Sequence, residues 1–502
     1  MRYTLFCLAL LGLGASARAD VIPAPLFTDN AVLQRDKPIP VWGTADAGEK
    51  VSVSFAGQAV ETVADATGKW SVKLAPIPAK NDGSALVIKG NNTITLANVV
   101  VGEVWLASGQ SNMEWVVKNT YDAAIDVPAS ANFPLIRHIQ IAKKVSETPL
   151  ATAKGAWQVA GPDTTGGFTA AGYYFARDLY QLLHVPVGII NSSWGGTPVE
   201  SWIDPEAYKT VPTESAKVQE RWTKVLADYP ANKAKFDADL AAWTAEESAA
   251  KAKGEKFTKQ KPRGPQGPGH PNTPSGLNNG MINPLVPYAL RGAIWYQGES
   301  NAGRANEYRA LFSSMITGWR TQFGQGDFPF YWVQLANYNN PDGTNWGFLR
   351  EAQTQTLALP ATGQAVIIDI GNRRDIHPRN KKDVGRRLAR LALKNDYGIA
   401  IETSGPLMET ATREGTGFKV TFTHIDGGLI APLNELTGFE LAGADKVFKP
   451  ADAKIEGDTV IVTSAAVAEP VAVRYAWRDA PTAGLFNKNS GLPAAPFRSD
   501  TW

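Results

Sequence analysis

The chain has 502 residues, 44% of them apolar and 20% charged, which is ordinary globular composition and enough for about two to four domains. Its formal net charge is only +2, so it carries no field suited to nucleic acid or an anionic membrane. The one cysteine, Cys7, lies in the first twenty residues, which excludes disulfides, cysteine–zinc sites and cysteine nucleophiles from the rest of the chain.

Residues 1–19 have the pattern of a cleaved secretory signal: Arg2, an apolar run from Leu5 to Leu13, and Ala17-Arg18-Ala19. The run is too short to span a bilayer, and Cys7 sits too far upstream of the cleavage site to become a lipidated terminus. Cleavage removes Arg2 and Arg18 and leaves 48 basic against 48 acidic residues. The expectation is a periplasmic or secreted monomer with no membrane attachment after cleavage.

Residues 20–98 read as a β domain. Val51, Val53 and Phe55 alternate with polar residues, as do Trp70, Val72 and Leu74, with glycine-containing turns between. From 99 to 397 the pattern changes to short, continuous apolar runs at 99–108, 185–194, 290–297, 330–338 and 363–371. Helical stretches at 172–183, 307–319 and 347–359 separate most of them. Buried strands alternating with helices predict an α/β domain on a parallel sheet. An insertion at about 205–260 interrupts it. Val218, Trp222 and Val225 have helical spacing, as do Phe236, Leu240 and Trp243, and Pro230 between them predicts a break into a helical hairpin. The Pro/Gly-rich stretch 261–276 then returns the chain to the sheet. Residues 398–502 read as a second β domain, with Phe418, Val420 and Phe422 alternating and Val471, Val473, Tyr475 and Trp477 doing the same.

In an open parallel sheet, ligands bind beyond the carboxyl ends of the strands. The segments following the five apolar runs are Gly109-Gln110-Ser111-Asn112, "NSSWGGTPVESW" (191–202), "QGESNAG" (297–303), Asn337-Tyr338 and "DIGNRRDIHPRN" (369–380). Polar and glycine residues thus converge on one edge. A serine nucleophile needs a base, an orienting carboxylate and donors for the oxyanion. Of five histidines, only His377 follows a strand of the predicted sheet. Asp375, two residues before it, is favoured over Asp369 as the carboxylate. The oxyanion candidates are the Ser111 N–H, the Gly195-Gly196 turn, and the side chain of Gln297 or Asn301. Gln110 and Asn112 flank the serine as further binding candidates. Glu299 suits a loop-holding role. No clustered ligand spacing suggests a metal, and no cofactor is expected.

Four ordered blocks carry a family resemblance: "GQSNMEW", "NSSWGGTPVESW", "IWYQGESNAG" and "DIHPRNKKDVGRRLA". Together they resemble the sialate O-acetylesterase family of the SGNH hydrolase superfamily, over roughly residues 25–502. The resemblance implies a flavodoxin-like parallel sheet flanked by β-rich, sandwich-like regions, and metal-free hydrolysis of O-acetyl esters on sugars. It also implies Ser111 as nucleophile, His377 as base, Gly196 as the second-block glycine, and Gln297 or Asn301 as the third-block amide. The superfamily commonly has Asp three residues before the histidine; here that position is Arg374, and Asp375 gives a shorter Asp-x-His spacing. The expected activity is that of a carbohydrate O-acetylesterase on sialic acid or acetylated plant polysaccharide. The rivals are a lipid esterase of the same superfamily and a non-catalytic carbohydrate-binding protein. Trp115, Trp194, Trp202 and Trp346 are candidates to stack on sugar, and Arg304, Arg350 and Arg374 to meet a sialate carboxylate.

Overall fold

A computed structural model describes residues 20–432 and 435–502; the expected signal segment, 1–19, lies outside the described residues. At the centre, six parallel strands run in the spatial order Ile136–Gln140, Val187–Ser193, Thr93–Gly109, Gly292–Tyr296, Phe330–Val333 and Thr362–Ala365. Trp157–Val159 adds an antiparallel edge beside the first of these. Every residue of the Val187–Ser193, Gly292–Tyr296 and Phe330–Val333 strands is buried, because helices cover both faces. On one side, Ala170–Leu183 packs against Lys381–Asn395. On the other, Ala305–Phe323 packs against Trp346–Gln355.

The chain leaves Thr93–Gly109 toward one edge of the sheet and later returns to its other side. That strand therefore lies at the point where the order reverses. A crevice opens at such a point beyond the carboxyl ends, and Gly109 is the last residue of the strand.

The expected domain boundary at 98 falls inside an element. Thr93–Gly109 is one strand of 17 residues. Its first part pairs with Lys80–Lys89 in the N-terminal β region, and its second part pairs with Val187–Ser193 and Gly292–Tyr296. Burial records the passage. Before residue 99 the strand is half-exposed, as an outer sheet face requires; from Val99 onward every side chain is buried. The N-terminal strands alternate as read, with Val51, Val53 and Phe55 facing a core shared with Trp70, Val72 and Leu74.

The expected break at Pro230 does not occur. Pro212–Ala252 is a single helix of 41 residues with Pro230 inside it. Proline costs the helix one N–H and crowds the preceding turn. Here the position is exposed, so the backbone can bend without disturbing a core. Ion pairs four residues apart, Lys224–Asp228, Lys233–Asp237 and Lys235–Asp239, support the helix on both sides of it. The returning segment lies along this helix: Gly267 sits against the Tyr229 ring, where a Cβ would come within 2.1 Å.

The C-terminal β region has its own core, which includes Val366 and Ile368 from the end of the central sheet. Arg350, fully buried, donates to the carbonyls of Leu335 and Ala336 on one side and of Arg478 and Asp479 on the other. Arg498 makes a two-pronged pair with Glu351 at 2.9 Å. These bonds fasten the region to the α/β core. Among the described residues no helix is long and apolar enough to cross a membrane.

Candidate active site

Ser111 begins a one-turn helix, Ser111–Glu114, immediately beyond the central strand. Gly109 makes this turn possible. Its φ is +136°, and a Cβ there would lie 2.2 Å from the Tyr296 carbonyl oxygen. The turn brings Ser111 Oγ to 2.8 Å from His377 Nε2, across 266 residues of sequence. The Trp115 ring stacks on the imidazole with centroids 5.3 Å apart and planes at 14°.

His377 is partly buried, and its proton affinity is pushed below the ordinary histidine value. Desolvation is the largest cause, the Lys381 ammonium adds to it, and Asp375 opposes both. The imidazole is thus neutral at neutral pH and able to accept a proton. Asp375 Oδ1 lies 3.7 Å from His377 Nδ1 and accepts the His377 backbone N–H at 2.9 Å. Its side chain is 46% exposed, so it belongs to an open turn. Asp369 is engaged elsewhere, in a two-pronged pair with Arg387 at 2.6 Å.

Beneath these groups runs a polar network in which Glu299 has the loop-holding part read from the sequence, and Lys381 is the member that reading did not anticipate. Asn112 Nδ2 donates to Glu299 Oε1 at 2.6 Å and to the Ile376 carbonyl at 3.0 Å. Lys381 Nζ donates to Asn112 Oδ1 and, at 2.8 Å, to the Pro378 carbonyl. Burial lowers the Lys381 ammonium to about 7, against the pull of Glu299 and Asp375, and raises the Glu299 carboxyl. Lys381 is the first residue of Lys381–Asn395, where the helix dipole also disfavours a cation.

The N–H groups of Ser111 and Gly196 have no acceptor among the described residues, whereas the Gly195 N–H donates to Glu114 Oε2 at 2.7 Å. Gly196 is exposed at φ +78°. Gln110 accepts the Ser300 N–H through Oε1 at 3.4 Å, and its amide nitrogen, Nε2, makes no bond among the described residues. Gln297 is fully buried. Both of its amide hydrogens go to protein acceptors, Thr197 O at 3.2 Å and Asn301 Oδ1 at 2.7 Å, and its oxygen accepts from Tyr308. Asn301 Oδ1 also accepts the Val199 N–H, and its Nδ2 donates to Glu200 at 2.7 Å. These two amides therefore brace the second and third loops against each other.

The other histidines lie apart. His138 is buried, stacked on Phe168 and pushed down to about 3 by desolvation. His184 caps the helix Ala170–Leu183 in the left-handed conformation. Among the tryptophans, Trp202 and Trp346 are core residues, which removes them as sugar platforms; Trp194 is partly buried under Lys143. Among the described residues no three His, Cys, Asp or Glu side chains gather as a metal-ligand set.

A serine and an imidazole in hydrogen-bond contact at the carboxyl end of a parallel strand is an arrangement suited to acyl transfer. Comparison with known proteins agrees. A family model described as "Carbohydrate esterase, sialic acid-specific acetylesterase" matches residues 279–394. The sialate O-acetylesterase of Rattus norvegicus is 30% identical, over 94% of this chain and 93% of its own length; that of Homo sapiens is 27% identical over 94% and 91%. The crystal structure of a carbohydrate acetylesterase from Xanthomonas citri superposes with a TM-score of 0.81 at 39% identity, covering 96% of this chain and 100% of that one. The chain is a carboxylic ester hydrolase. More narrowly, it belongs to the sialate O-acetylesterase family.

Proposed function

We propose that the protein is a secreted carbohydrate O-acetylesterase on a flavodoxin-like core, with Ser111 as nucleophile and His377 as general base. The observation that carries this reading is the 2.8 Å contact between Ser111 Oγ and His377 Nε2 at the carboxyl end of the central strand. Ser111 Oγ forms a bond to the acetyl carbon while its proton passes to Nε2. The Ser111 and Gly196 N–H groups, with Gln110 Nε2 as a third donor, hold the negative oxygen. The tetrahedral species collapses as the sugar oxygen leaves, taking the proton from Nε2. A water then attacks the acetyl-serine, giving its proton to Nε2, and acetate departs as that proton returns to Oγ. Asp375 contributes by favouring the imidazolium across 3.7 Å and by shaping the loop.

Substrates of this reading are O-acetylated sugars, sialic acid derivatives and acetylated plant polysaccharides among them. The signal-like residues 1–19 support export to the periplasm or beyond. The test is acetate release from a panel of acetylated glycans by the purified protein and by Ser111→Ala. Release by the wild type and none by the variant is expected. Equal release by both would overturn the assignment.

A further inference from the structure

Ser111 and Glu114 open and close the same one-turn helix. Residues three apart in a helix lie on one face, so the turn ties the place of one side chain to that of the other. Glu114 Oε2 accepts the Gly195 N–H at 2.7 Å, and the Gly195-Gly196 turn lies against the serine. A Cβ on Gly195 would be 3.2 Å from Ser111 Cβ and 3.4 Å from Glu114 Oε2. The two ends of the turn are fixed separately. The Trp194 N–H donates to the Gly109 carbonyl at 3.0 Å. Thr197 Oγ1 donates to the Trp194 carbonyl at 2.7 Å and accepts Trp202 Nε1 at 3.0 Å. Glu114 holds the middle.

The carboxylate takes the Gly195 N–H, and the next one, on Gly196, has no acceptor among the described residues. In the acyl-transfer reading that second N–H meets the oxyanion. Its place depends on the peptide before it, which Glu114 fixes. Gly196 is exposed at φ +78°, a conformation that glycine enters and leaves easily. A turn so permissive needs an anchor to present one geometry, and an oxyanion donor is effective only when it is already in place.

A carboxylate makes a costly anchor here. One peptide unit from a donor of the oxyanion, it opposes the negative charge that develops in the transition state. Lys143 offsets it. The Lys143 ammonium pairs with Glu114 Oε1 at 2.5 Å and lies 5.3 Å from the centroid of the Trp194 ring. Lys143 follows the strand Ile136–Gln140, Gly195 follows Val187–Ser193, and Glu114 follows Thr93–Gly109. The anchor thus joins the carboxyl ends of three neighbouring strands.

We infer that Glu114 is a positioning residue for the oxyanion donor on Gly196, and that Lys143 cancels the charge which Glu114 brings beside the reacting carbonyl. The inference rests on the reading of Ser111 and Gly196 above. The side chains of the pair are 35% and 40% exposed, and ion pairs so open to solvent add little to folding. Loss of the pair should therefore register in turnover, not in stability.

The test measures kcat and KM for p-nitrophenyl acetate on the full chain, with thermal unfolding as the folding control. Glu114→Ala removes the anchor and should lower kcat by about 10², with KM changed no more than about twofold. Glu114→Gln keeps an acceptor for the Gly195 N–H, and its kcat should be about tenfold or more above that of Glu114→Ala. Lys143→Met leaves the carboxylate uncompensated and should lower kcat about tenfold. Adding Glu114→Gln to Lys143→Met should restore that loss, a rescue that a merely structural pair would not give. If Glu114→Ala does not fold, this charge cycle decides alone. No kcat loss in Lys143→Met or in folded Glu114→Ala, a change in KM alone, or a double variant no faster than Lys143→Met would each overturn the inference. Ser111→Ala separates it from the reading beneath. Wild-type turnover in that variant would remove the nucleophile, whereas an inactive Ser111→Ala beside unaltered Glu114 and Lys143 variants would remove this inference only.

Discussion

Lys381 Nζ donates to Asn112 Oδ1 at 2.5 Å from a side chain with no solvent exposure. Asn112 follows Ser111, and Lys381 is four residues past His377. Asn112 also holds the Ile376 carbonyl and Lys381 the Pro378 carbonyl, so the peptide is gripped on both sides of His377. With Asp375 half-exposed at 3.7 Å, this clamp is the more rigid support for the imidazole.

The clamp leads to a prediction for pH as well as stability. Lys381→Met leaves Asn112, the Pro378 carbonyl and Glu299 without their buried cation, and should destabilise the protein by about 3 kcal/mol in a urea titration. The ammonium disfavours protonation of His377 while Asp375 favours it. Removing the ammonium should therefore raise the His377 pKa. In wild-type enzyme the acid limb of kcat/KM should lie below the ordinary histidine value of 6.5, and in the variant it should move up. An unmoved acid limb would show that the lysine acts on folding alone.

Ser111→Ala should fold as the wild type does, with stability changed by no more than about 0.5 kcal/mol. Its kcat on a sugar acetate should drop by as much as about 10⁶, the scale set by nucleophile removal in a serine protease. His377→Ala should cost nearly as much, and the double variant little more, because the two act as a unit. Circular dichroism provides the folding control. A folded Ser111→Ala protein that keeps a tenth or so of its turnover would contradict the nucleophile assignment.

Asp375→Asn should be milder than loss of a buried triad carboxylate, which costs about 10⁴ in kcat. The reasons are the 3.7 Å separation, the solvent around the carboxylate, and a backbone bond to the His377 N–H that asparagine can also accept. A fall of the full 10⁴ or so in kcat would mean that the loop closes and shortens this contact during turnover.

Gln297→Ala should reveal itself in stability. Its amide closes two hydrogen bonds inside the protein, and each buried group left unpaired costs about 1–3 kcal/mol. The kcat of the folded enzyme should fall by less than the roughly 10²–10³ that removal of an oxyanion donor produces. A larger kcat loss at unchanged stability would make Gln297 such a donor.

Much of this site is legible in the sequence, because strand ends in a parallel sheet converge whatever the loops contain. Continuous apolar runs followed by Gly-Gln-Ser-Asn or Asp-Ile-His-Pro carry that information locally. What escapes is pairing at a distance. Lys381 sits in the basic stretch "PRNKKDVGRRLA" (378–389), where a solvated charge is the ordinary reading, and only the fold shows it turned inward. Gln297 and Asn301 look like free amides until Thr197, Val199 and Glu200 arrive from a loop about a hundred residues earlier. Pro230 misleads for the opposite reason: the local rule is sound, but an exposed helix tolerates the bend.

The 17-residue strand Thr93–Gly109 makes the N-terminal β region a poor cassette. Side chains along a strand alternate faces, and the register that aims the chain toward Ser111 is set by pairing with Val187–Ser193 and Gly292–Tyr296. The ladder to Lys80–Lys89 is irregular between Ser84 and Leu86, so its own pairs, Ile88 with Ile94 among them, are in a separate register. Recombination at residue 98 would nevertheless cut inside the strand that ends at Gly109. Its inheritance should be tied to that of the esterase core, as one unit of descent.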